Sequence, residues 1–306
     1  METPKFIWMD GNLVPGNKAV VPFLTHTLHY GTGVFEGIRC YSTLRGPAIF
    51  RLPEHIRRLF YSASVLGIKI PYSAEDLKRA IIEIIKSNSL SDCYIRPLVY
   101  LGGKMGLSPI GAPVHCGIAV WRWDKYLTNP MIKTIISKYI RIHPQSSIVE
   151  AKITGHYVNS ALTSLEAYNA GADEAILLDY EEYVAEGPAE NIFMIYKNFN
   201  GIFILTPSLG TILPGITRAT VIQLINDYFP KLKVIEDKMD ITDLKIAKEV
   251  FFTGTAVEIA AVDKIDDVVI AQDNKPGPIT RFVQTAYSNV VHGRIKKYRH
   301  WLTYVD

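Results

Sequence analysis

Residues 151–157 of the chain read A-K-I-T-G-H-Y and place Lys152 among small and apolar neighbours. A lysine side chain is usually a solvated surface charge. In an apolar setting the ammonium form is disfavoured, so the amine is more available as a nucleophile that can form a Schiff base with an aldehyde. The next stretch, 158–170, predicts a helix that ends at Gly171. Lys152 is therefore a candidate catalytic residue just before a helix.

Three later segments supply the other groups that such an amine needs, namely E-G-P-A-E-N (186–191), L-P-G-I-T-R (213–218) and T-G-T-A (253–256). Glu186 offers a carboxylate that can keep a pyridine nitrogen protonated. Gly215 permits close approach of the backbone, and the helix start at Ile216 and Thr217 presents N–H groups that favour an anion. Thr255 adds a hydroxyl. The four segments together predict a site for an aromatic aldehyde phosphate.

The composition of the chain is compatible with a globular enzyme. It has 306 residues with 48% hydrophobic and 21% charged content, which predicts about two domains. The formal charge of +3 is spread along the chain, so a small molecule is a better expectation than nucleic acid or a membrane surface. The beginning of the sequence has no signal-peptide pattern, and no run of 18 apolar residues occurs. A soluble cytoplasmic protein is therefore expected.

The three cysteines indicate neither a disulfide framework nor a metal site. Cys40, Cys93 and Cys116 are odd in number, lie far apart and form no C-x-x-C pair. We expect three buried thiols and no bound metal.

The first part of the chain predicts a small α+β domain over residues 1–122. Its expected elements are a hairpin at Asp10-Gly11, a longer hairpin from 34–41 and 48–51, a helix from Pro53, a helix capped by Ser73 and Asp76, and strands at 94–101 and 117–123. The segment W-D-K-Y-L-T-N-P (123–130) has no periodicity and ends in Asn-Pro, so it is interpreted as the interdomain loop.

Residues 131–306 predict a second, larger domain. Its expected elements are a strand from residue 131, the helix 158–170, strands at 174–179, 191–196 and 202–205, a helix at 217–228, strands near 250 and 257, and a final helix after Pro278.

The order and spacing of the four segments resemble the fold-type IV pyridoxal-phosphate (PLP) enzymes. H-Y-G-T-G-V-F-E-G-I-R-C-Y (29–41) is similar to the signature of the branched-chain amino-acid aminotransferases within that group. The resemblance runs from about residue 5 to Trp301-Leu302 and covers essentially the whole chain. It implies a mixed α+β fold of two domains, a small N-terminal one and a larger one, with PLP at the domain interface.

The resemblance also implies which residues hold the cofactor. Lys152 would carry the covalent link to PLP and transfer the proton at the substrate Cα, Tyr157 would hydrogen-bond the phenolic oxygen, and Glu186 would pair with the pyridine nitrogen. The phosphate ligands would be Arg58, Ile216, Thr217 and Thr255. Arg57, next to Arg58, is interpreted as the surface residue of the pair.

Tyr94 and Arg96 are candidates for binding a substrate carboxylate. Alternate residues of a strand point to the same face, so the pair joins a hydroxyl and a guanidinium. The resemblance implies that Tyr94, with the N–H groups of Thr255 and Ala256, binds the α-carboxylate, and that Arg96 receives the distal carboxylate of glutamate.

Other residues of the substrate pocket are implied by the resemblance alone. The residues around an aliphatic side chain would be Tyr30, Phe35, Trp123 and Tyr126, and Gly37 of the 29–41 signature would belong to the same substrate-binding set. Leu107, in K-M-G-L-S-P, would reach across a dimer interface into the neighbouring site. A homodimer or a larger homo-oligomer is therefore expected.

The sequence thus predicts PLP-dependent transfer of the amino group of leucine, isoleucine or valine to 2-oxoglutarate. Alternatives on the same fold are a D-amino-acid or (R)-amine transaminase and a 4-amino-4-deoxychorismate lyase, which share the lysine, the glutamate and the phosphate site. A non-catalytic PLP-binding protein is a further alternative, and the presence of every proposed chemical residue argues against it. Preference among the three branched substrates, and activity on aromatic donors, stay open.

Overall fold

The structure is a computed structural model that describes residues 3–123, 129, 131–198, 201–271, 273 and 275–305. The chain forms two compact units. The first unit is Met1–Asp124, Ala151–His156 and Asn289–Asp306, and the second is Lys125–Glu150 and Tyr157–Ser288. The predicted interdomain loop lies mostly outside the described residues, so the predicted domain boundaries stay a prediction.

Helices and strands both occur throughout the described residues, which confirms the predicted α+β class. The helices are α1 (His26–Tyr30), α2 (Leu52–Val65), α3 (Ala74–Ser87), α4 (Tyr157–Asn169), α5 (Ile216–Tyr228), α6 (Ile241–Lys245) and α7 (Pro278–Val291). The strands are β1 (Phe6–Met9), β2 (Asn12–Pro15), β3 (Gly33–Phe35), β4 (Ile38–Thr43), β5 (Gly46–Phe50), β6 (Cys93–Leu101), β7 (Val114–Trp121), β8 (Met131–Ile136), β9 (Glu174–Leu178), β10 (Val184–Glu186), β11 (Asn191–Asn198), β12 (Gly201–Thr206), β13 (Val234–Glu236), β14 (Glu249–Gly254), β15 (Glu258–Ile265), β16 (Val268–Val269) and β17 (Leu302–Tyr304). Short 3-10 turns lie at Gly16–Lys18, Thr154–His156 and Lys296–Trp301.

The first unit is built on one sheet with helices packed against it. The strand order is β17-β5-β4-β6-β7-β1-β2, and β3 pairs with β6. Helices α2 and α3 bury the apolar faces predicted from their periodicity, including Ile56 and Leu59 on α2 and Leu77 on α3. Ser73 and Asp76 form the predicted capping box at the start of α3. This core supports the strand from which the candidate site is built.

A break in one strand is the main local departure from the predicted elements. The sequence predicts one strand over 34–41, whereas the structure has β3 and β4 with an interruption at Glu36 and Gly37. The interruption lies opposite Pro97 of β6, which has no N–H to donate to a neighbouring strand. The carbonyl of Pro97 still accepts the N–H of Glu36 at 3.0 Å. The break frees Glu36 and Gly37 from regular strand geometry.

The second unit contains a separate sheet with its own core. The strand order is β10-β9-β8-β15-β14-β11-β12-β13, and β16 pairs with β15. Side chains such as Ile192, Phe252 and Val262 are buried in this core. The predicted helices at 158–170 and 217–228 appear as α4 and α5, and Gly171, just after α4, has a φ of +72°. Short elements such as α1, β10, β13, α6 and β17 were not predicted because they are too short to show a period.

Two further expectations can be compared with the described residues. Cys40, Cys93 and Cys116 are buried free thiols, as predicted. Within the described part of the chain, no helix is both long enough and apolar enough to cross a membrane.

Truncating the core of the first unit is expected to destabilise the protein. Leu59 on α2 is fully buried, so Leu59→Ala removes apolar contacts and leaves a cavity. We expect the free energy of unfolding, measured by urea titration, to fall by about 2–5 kcal/mol. Leu44→Ala is the matched control because Leu44 is 99% exposed, and its effect should stay within about 0.5 kcal/mol. Equal effects of the two substitutions would contradict this packing.

Candidate active site

The segment that carries Lys152 is fixed by backbone hydrogen bonds within the first unit. The carbonyl of Lys152 accepts the N–H of Phe35 at 3.1 Å, and its own N–H donates to Oγ of Ser62 at 2.9 Å. Val34 and Ile153 form an isolated antiparallel bridge. Lys152 therefore has a fixed backbone although it belongs to no regular helix or strand.

Thr154 adds a second set of contacts to the same segment. Its hydroxyl donates to the carbonyl of Gly31 at 2.7 Å and accepts the N–H of Gly33 at 3.0 Å. The N–H of Gly155 also donates to the carbonyl of Gly31 at 3.0 Å. A-K-I-T-G is thus held by α2 on one side and by the chain around β3 on the other.

A buried carboxylate, Glu36, organises the charges near this segment. Arg58 on α2 donates to both oxygens of Glu36, from Nε at 2.7 Å and from an Nη at 2.9 Å. Nδ1 of His55 lies 2.7 Å from the second oxygen. An ionised carboxylate only accepts hydrogen bonds, so this ring nitrogen carries the hydrogen. Arg57 is exposed, as predicted.

The ionisation of this cluster follows from burial and charge. Burial by itself raises the pKa of Glu36, but the charge of Arg58 and the contacts with Arg58 and His55 outweigh it and hold the pKa well below its usual range. Burial lowers the pKa of His55, and this outweighs the opposing effect of Glu36. Near neutral pH the cluster therefore contains a carboxylate, a guanidinium and a neutral imidazole.

The side-chain amine of Lys152 has a lowered pKa. Burial and the nearby charge of Arg58 lower its pKa from 10.5 to about 8, while Glu36 opposes the decrease. Nζ of Lys152 lies 4.8 Å from the centre of the Phe35 ring, so the amine sits over an aromatic face. At pH 7 roughly one in ten of these amines is neutral, against about one in three thousand for an ordinary lysine.

Arg96 lies among aromatic rings. Its Cζ is 4.7 Å from the ring centre of Phe35, 5.4 Å from that of Tyr94 and 5.9 Å from that of Trp121. One Nη of Arg96 donates to the hydroxyl of Tyr94 at 3.5 Å, and the buried Nε has no hydrogen-bond partner among the described residues. Tyr94 and Arg96 therefore contact each other on one face of β6, as predicted.

Tyr94 is positioned by stacking and by a missing side chain. Its ring lies 4.4 Å from that of Trp123, in a stacked arrangement. A Cβ at position 37 would overlap the Tyr94 hydroxyl, so Gly37 is required for this orientation of the tyrosine. Phe35, Gly37, Tyr94, Arg96 and Trp123 form one group within the first unit.

The remaining substrate residues have separate positions. Tyr30 ends α1, and its hydroxyl accepts the N–H of Gly106 at 3.4 Å. Leu107 follows in the same loop and is 83% exposed. Tyr126 lies outside the described residues.

In the second unit, the carboxylate of Glu186 is held by three donors. Nε of Arg141 lies 2.5 Å from one oxygen, and Nδ2 of Asn191 lies 3.0 Å from the other. The N–H of Leu213 is 3.2 Å from both oxygens. Glu186 is 4% exposed, so these charge-assisted bonds fix the plane of a buried carboxylate.

Asn191 connects E-G-P-A-E-N with L-P-G-I-T-R. Besides Glu186, its Nδ2 donates to the carbonyl of Leu213 at 2.9 Å. A Cβ at position 215 would overlap Oδ1 of Asn191, so only glycine fits there. Gly215 is the N-cap of α5 and provides no side-chain cap. The first turn of α5, at Ile216 and Thr217, is thus a candidate anion site.

The T-G-T-A turn and α4 lie against the same segment. Thr253 pairs with Asn191 across β14 and β11, and Thr255 and Ala256 follow in the turn before β15. The hydroxyl of Ser160 donates to the carbonyl of Pro188 at 2.6 Å, which links α4, the helix that begins at Tyr157, to the turn after Glu186. Three of the predicted motifs therefore meet within the second unit.

Several functional residues were not assigned from the sequence. These are Glu36, His55, Ser62, Arg141 and Asn191. Glu36 and Asn191 stand inside quoted motifs, so their position was a usable signal. Arg141 lies in a segment without regular structure, and nothing in its neighbours indicates a partner 45 residues away.

The chain belongs to the class IV aminotransferases. The sequence profile described as amino-transferase class IV matches residues 33–265, most of the chain. This confirms the family predicted from the motifs.

Individual relatives extend the comparison over the full length. The chain is 42% identical to the branched-chain-amino-acid aminotransferase of Pseudomonas aeruginosa, over 98% of this chain and 97% of the relative. It is 41% identical to the T.th. branched-chain amino acid aminotransferase complexed with N-(5'-phosphopyridoxyl)-L-glutamate, with a TM-score of 0.93 and 99% of both chains covered. The same enzyme complexed with 4-methylvaleric acid gives a TM-score of 0.94 at 41% identity and full coverage of both chains. The predicted fold-type IV architecture is confirmed by this likeness.

The lowered pKa of Lys152 predicts how its reactivity depends on pH. Because the protonated amine is unreactive, acetylation of Lys152 by acetic anhydride should rise with pH through a midpoint near the pKa of about 8, well below that of an ordinary lysine. The cofactor-free full chain is labelled over a pH series, and peptide mass spectrometry measures Lys152 against the exposed Lys69. Parallel pH profiles for the two lysines would contradict this assignment.

Proposed function

We propose that the chain is a PLP-dependent transaminase that exchanges the amino group of leucine, isoleucine or valine with 2-oxoglutarate. The observation that carries the proposal is the surroundings of Arg96, where a guanidinium lies among the aromatic rings of Phe35, Tyr94 and Trp121. Aromatic faces suit an aliphatic side chain, and a guanidinium suits a carboxylate. A transaminase of this specificity must bind both kinds of side chain in turn.

The residues present fit pyridoxal phosphate. The cofactor needs an amine for its aldehyde, a carboxylate for its ring nitrogen and a site for its phosphate. Lys152 has a lowered pKa, Glu186 is an oriented buried carboxylate, and α5 begins without a side-chain cap. The T.th. relative was crystallised with a phosphopyridoxyl derivative of glutamate, in keeping with the same cofactor here.

Lys152 is the proposed catalytic base and acid. Bound pyridoxal phosphate supplies an electron-withdrawing ring that makes the Cα proton of an amino acid acidic. Nζ of Lys152 then takes this proton and can return it, because an amine with a pKa of about 8 is neutral and protonated in comparable amounts near that pH. Glu186 is the proposed partner of the ring nitrogen, and Tyr157 the proposed partner of the phenolic oxygen.

The proposed phosphate ligands are charged or hydrogen-bond donors. In the second unit they are the backbone N–H groups at Ile216 and Thr217, with the hydroxyls of Thr217 and Thr255. In the first unit it is Arg58, whose guanidinium is already oriented by Glu36. The N–H groups of Thr255 and Ala256 are proposed for the substrate α-carboxylate.

The proposed substrate side-chain site is formed by the aromatic residues of the first unit. Tyr94 also contributes its hydroxyl to the α-carboxylate, while Phe35 and Trp123 contact the aliphatic side chain. Tyr30, Gly37 and Tyr126 complete the proposed set. The structure of the T.th. relative with 4-methylvaleric acid, which has the carbon skeleton of leucine without the amino group, agrees with this class of substrate.

Arg96 is proposed to distinguish the two kinds of substrate by moving. With glutamate or 2-oxoglutarate it pairs with the distal carboxylate, and with leucine it rests on the rings. A charge-assisted contact of this type contributes about 1.5–3 kcal/mol, or about one to two decades in kcat/KM.

Assembly and location stay predictions from the sequence. The exposed Leu107 is proposed to contact a neighbouring copy of the chain, in a homodimer or larger homo-oligomer. A cytoplasmic location is expected for an enzyme with these small-molecule substrates.

The half-reaction of the purified holoprotein tests the function. Adding L-leucine without a 2-oxo acid should convert the absorbance of the aldehyde form of the cofactor to that of the amine form, and 2-oxoglutarate should restore it. D-alanine serves as the comparison donor for the alternative transaminases, whereas release of pyruvate from 4-amino-4-deoxychorismate tests the lyase, which leaves the cofactor in its aldehyde form. Conversion by D-alanine, or release of pyruvate from 4-amino-4-deoxychorismate, with no conversion by leucine would replace the proposed function.

The substitution Arg96→Met separates the two substrates. It removes the charge and keeps an apolar side chain, so kcat/KM for 2-oxoglutarate should fall by about 10–100-fold while the leucine half-reaction changes much less. Single-turnover rates are measured for each half-reaction. Arg122→Met is the matched control because Arg122 is exposed, just beyond the end of β7. Equal losses for leucine and 2-oxoglutarate would show that Arg96 binds the α-carboxylate or only supports the fold.

A further inference from the structure

Glu36 occupies a position that the proposed chemistry does not use. It stands in the strand break between Phe35 and Gly37 and is completely buried. Its two oxygens accept hydrogen bonds from Arg58 and His55, and the N–H of Gly37 lies 3.3 Å from one of them. Burying a carboxylate costs several kcal/mol unless it is well paired. Here the carboxylate is paired with a guanidinium and an imidazole N–H, so its charge is kept inside the protein.

The contacts of α2 connect Glu36 with the Lys152 segment. Arg58 and Ser62 are four residues apart on α2, and His55 is three residues before Arg58, so the three side chains share one face of the helix. Ser62 accepts the N–H of Lys152, and Arg58 and His55 bind Glu36. Phe35, directly before Glu36, donates its N–H to the carbonyl of Lys152.

We propose that Glu36 is a positioning residue for Lys152, whose buried carboxylate holds Arg58 and His55 beside the Lys152 segment and balances part of the positive charge there. The proposal rests on the proposed function, because that function gives Lys152 and Arg58 the roles that Glu36 would support.

The first part of this role is orientation. The guanidinium of Arg58 is planar, and its Nε and one Nη both donate hydrogen bonds to Glu36. This bidentate pairing fixes the guanidinium plane and turns its opposite side away from Glu36. Arg58 is thereby presented in one orientation for the phosphate that it is proposed to bind.

The second part is electrostatic. The charged or titratable groups that act on Lys152 are Arg58, Arg96, Tyr94 and Glu36, and Lys152 in turn acts on His55. Arg58 and Arg96 lower the pKa of Lys152, whereas Glu36 raises it. Without Glu36, the amine would lose its proton more easily and would be a weaker proton carrier.

The test measures the proton affinity of Lys152 directly and does not depend on turnover. The full chain is stripped of cofactor and labelled with acetic anhydride over a pH series, with the exposed Lys69 as reference. The variants are Glu36→Gln, Glu36→Asp, Arg58→Met and the double variant Glu36→Gln with Arg58→Met. The double variant has neither buried charge, so it keeps the comparison available if Glu36→Gln alone does not fold.

The expected shifts have opposite signs. Glu36→Gln should move the labelling profile of Lys152 to lower pH, with about fivefold more labelling at pH 7, and Glu36→Asp should keep it near that of the wild type. Arg58→Met should move the profile to higher pH, and the double variant should move it back from there. These opposite shifts follow the sign of the charge that is removed, which a purely structural role would not produce.

Some labelling profiles would contradict a positioning role for Glu36. An unchanged profile in Glu36→Gln, or equal profiles in Arg58→Met and the double variant if Glu36→Gln does not fold, would overturn the proposal. Failure of the wild-type holoprotein to react with leucine would instead overturn the proposed function and leave these labelling profiles unaffected.

Discussion

A short pairing between two distant parts of the chain holds the Lys152 segment of the first unit in place. Residues 33–35 bind residues 152–154 through the carbonyl of Lys152, the Val34 and Ile153 bridge and the hydroxyl of Thr154. Lys152 belongs to no regular element, so these bonds replace the order that a helix or strand would give. The break that follows this strand begins at Glu36, whose charge acts on Lys152. The chain around β3 therefore contributes to the backbone position of Lys152 and, alongside burial and Arg58, to its pKa.

In the second unit, the side-chain amide of Asn191 joins separate segments of the site, whereas in the first unit a backbone pairing does so. Asn191 binds both Glu186 and the carbonyl of Leu213, and its side chain fills the space beside Gly215. One side chain therefore contacts both the buried carboxylate and the start of α5. Several of the proposed chemical groups stand where regular structure stops: Glu36 in a strand break, Thr255 and Ala256 in a turn, and Ile216 and Thr217 at a helix N-terminus. The backbone N–H groups at a helix N-terminus have no partner within the helix.

The sequence predicted features that depend on local pattern. The capping box of Ser73 and Asp76, the helices α4 and α5, and the shared face of Tyr94 and Arg96 all follow from residues close together in the chain. The pairing of Glu186 with Arg141 and the bonding of Glu36 to His55 and Arg58 did not. Those contacts join separate elements, and a charged residue in a sequence does not reveal which opposite charge will meet it after folding. The strand break at Glu36 was missed for a related reason, because its cause, Pro97, lies on the neighbouring strand.

The resting place of Arg96 has a consequence for the speed of an alternating cycle. A guanidinium held by a buried carboxylate must break an ion pair before it can move, and removing one partner of such a pair costs about 3–5 kcal/mol. Contact with an aromatic face is worth about 0.5–2 kcal/mol. Among the described residues Arg96 has no acidic partner, and it lies over the rings of Phe35, Tyr94 and Trp121. Movement of the arginine therefore requires no such ion pair to be broken, which suits the proposed cycle, in which two kinds of substrate take turns.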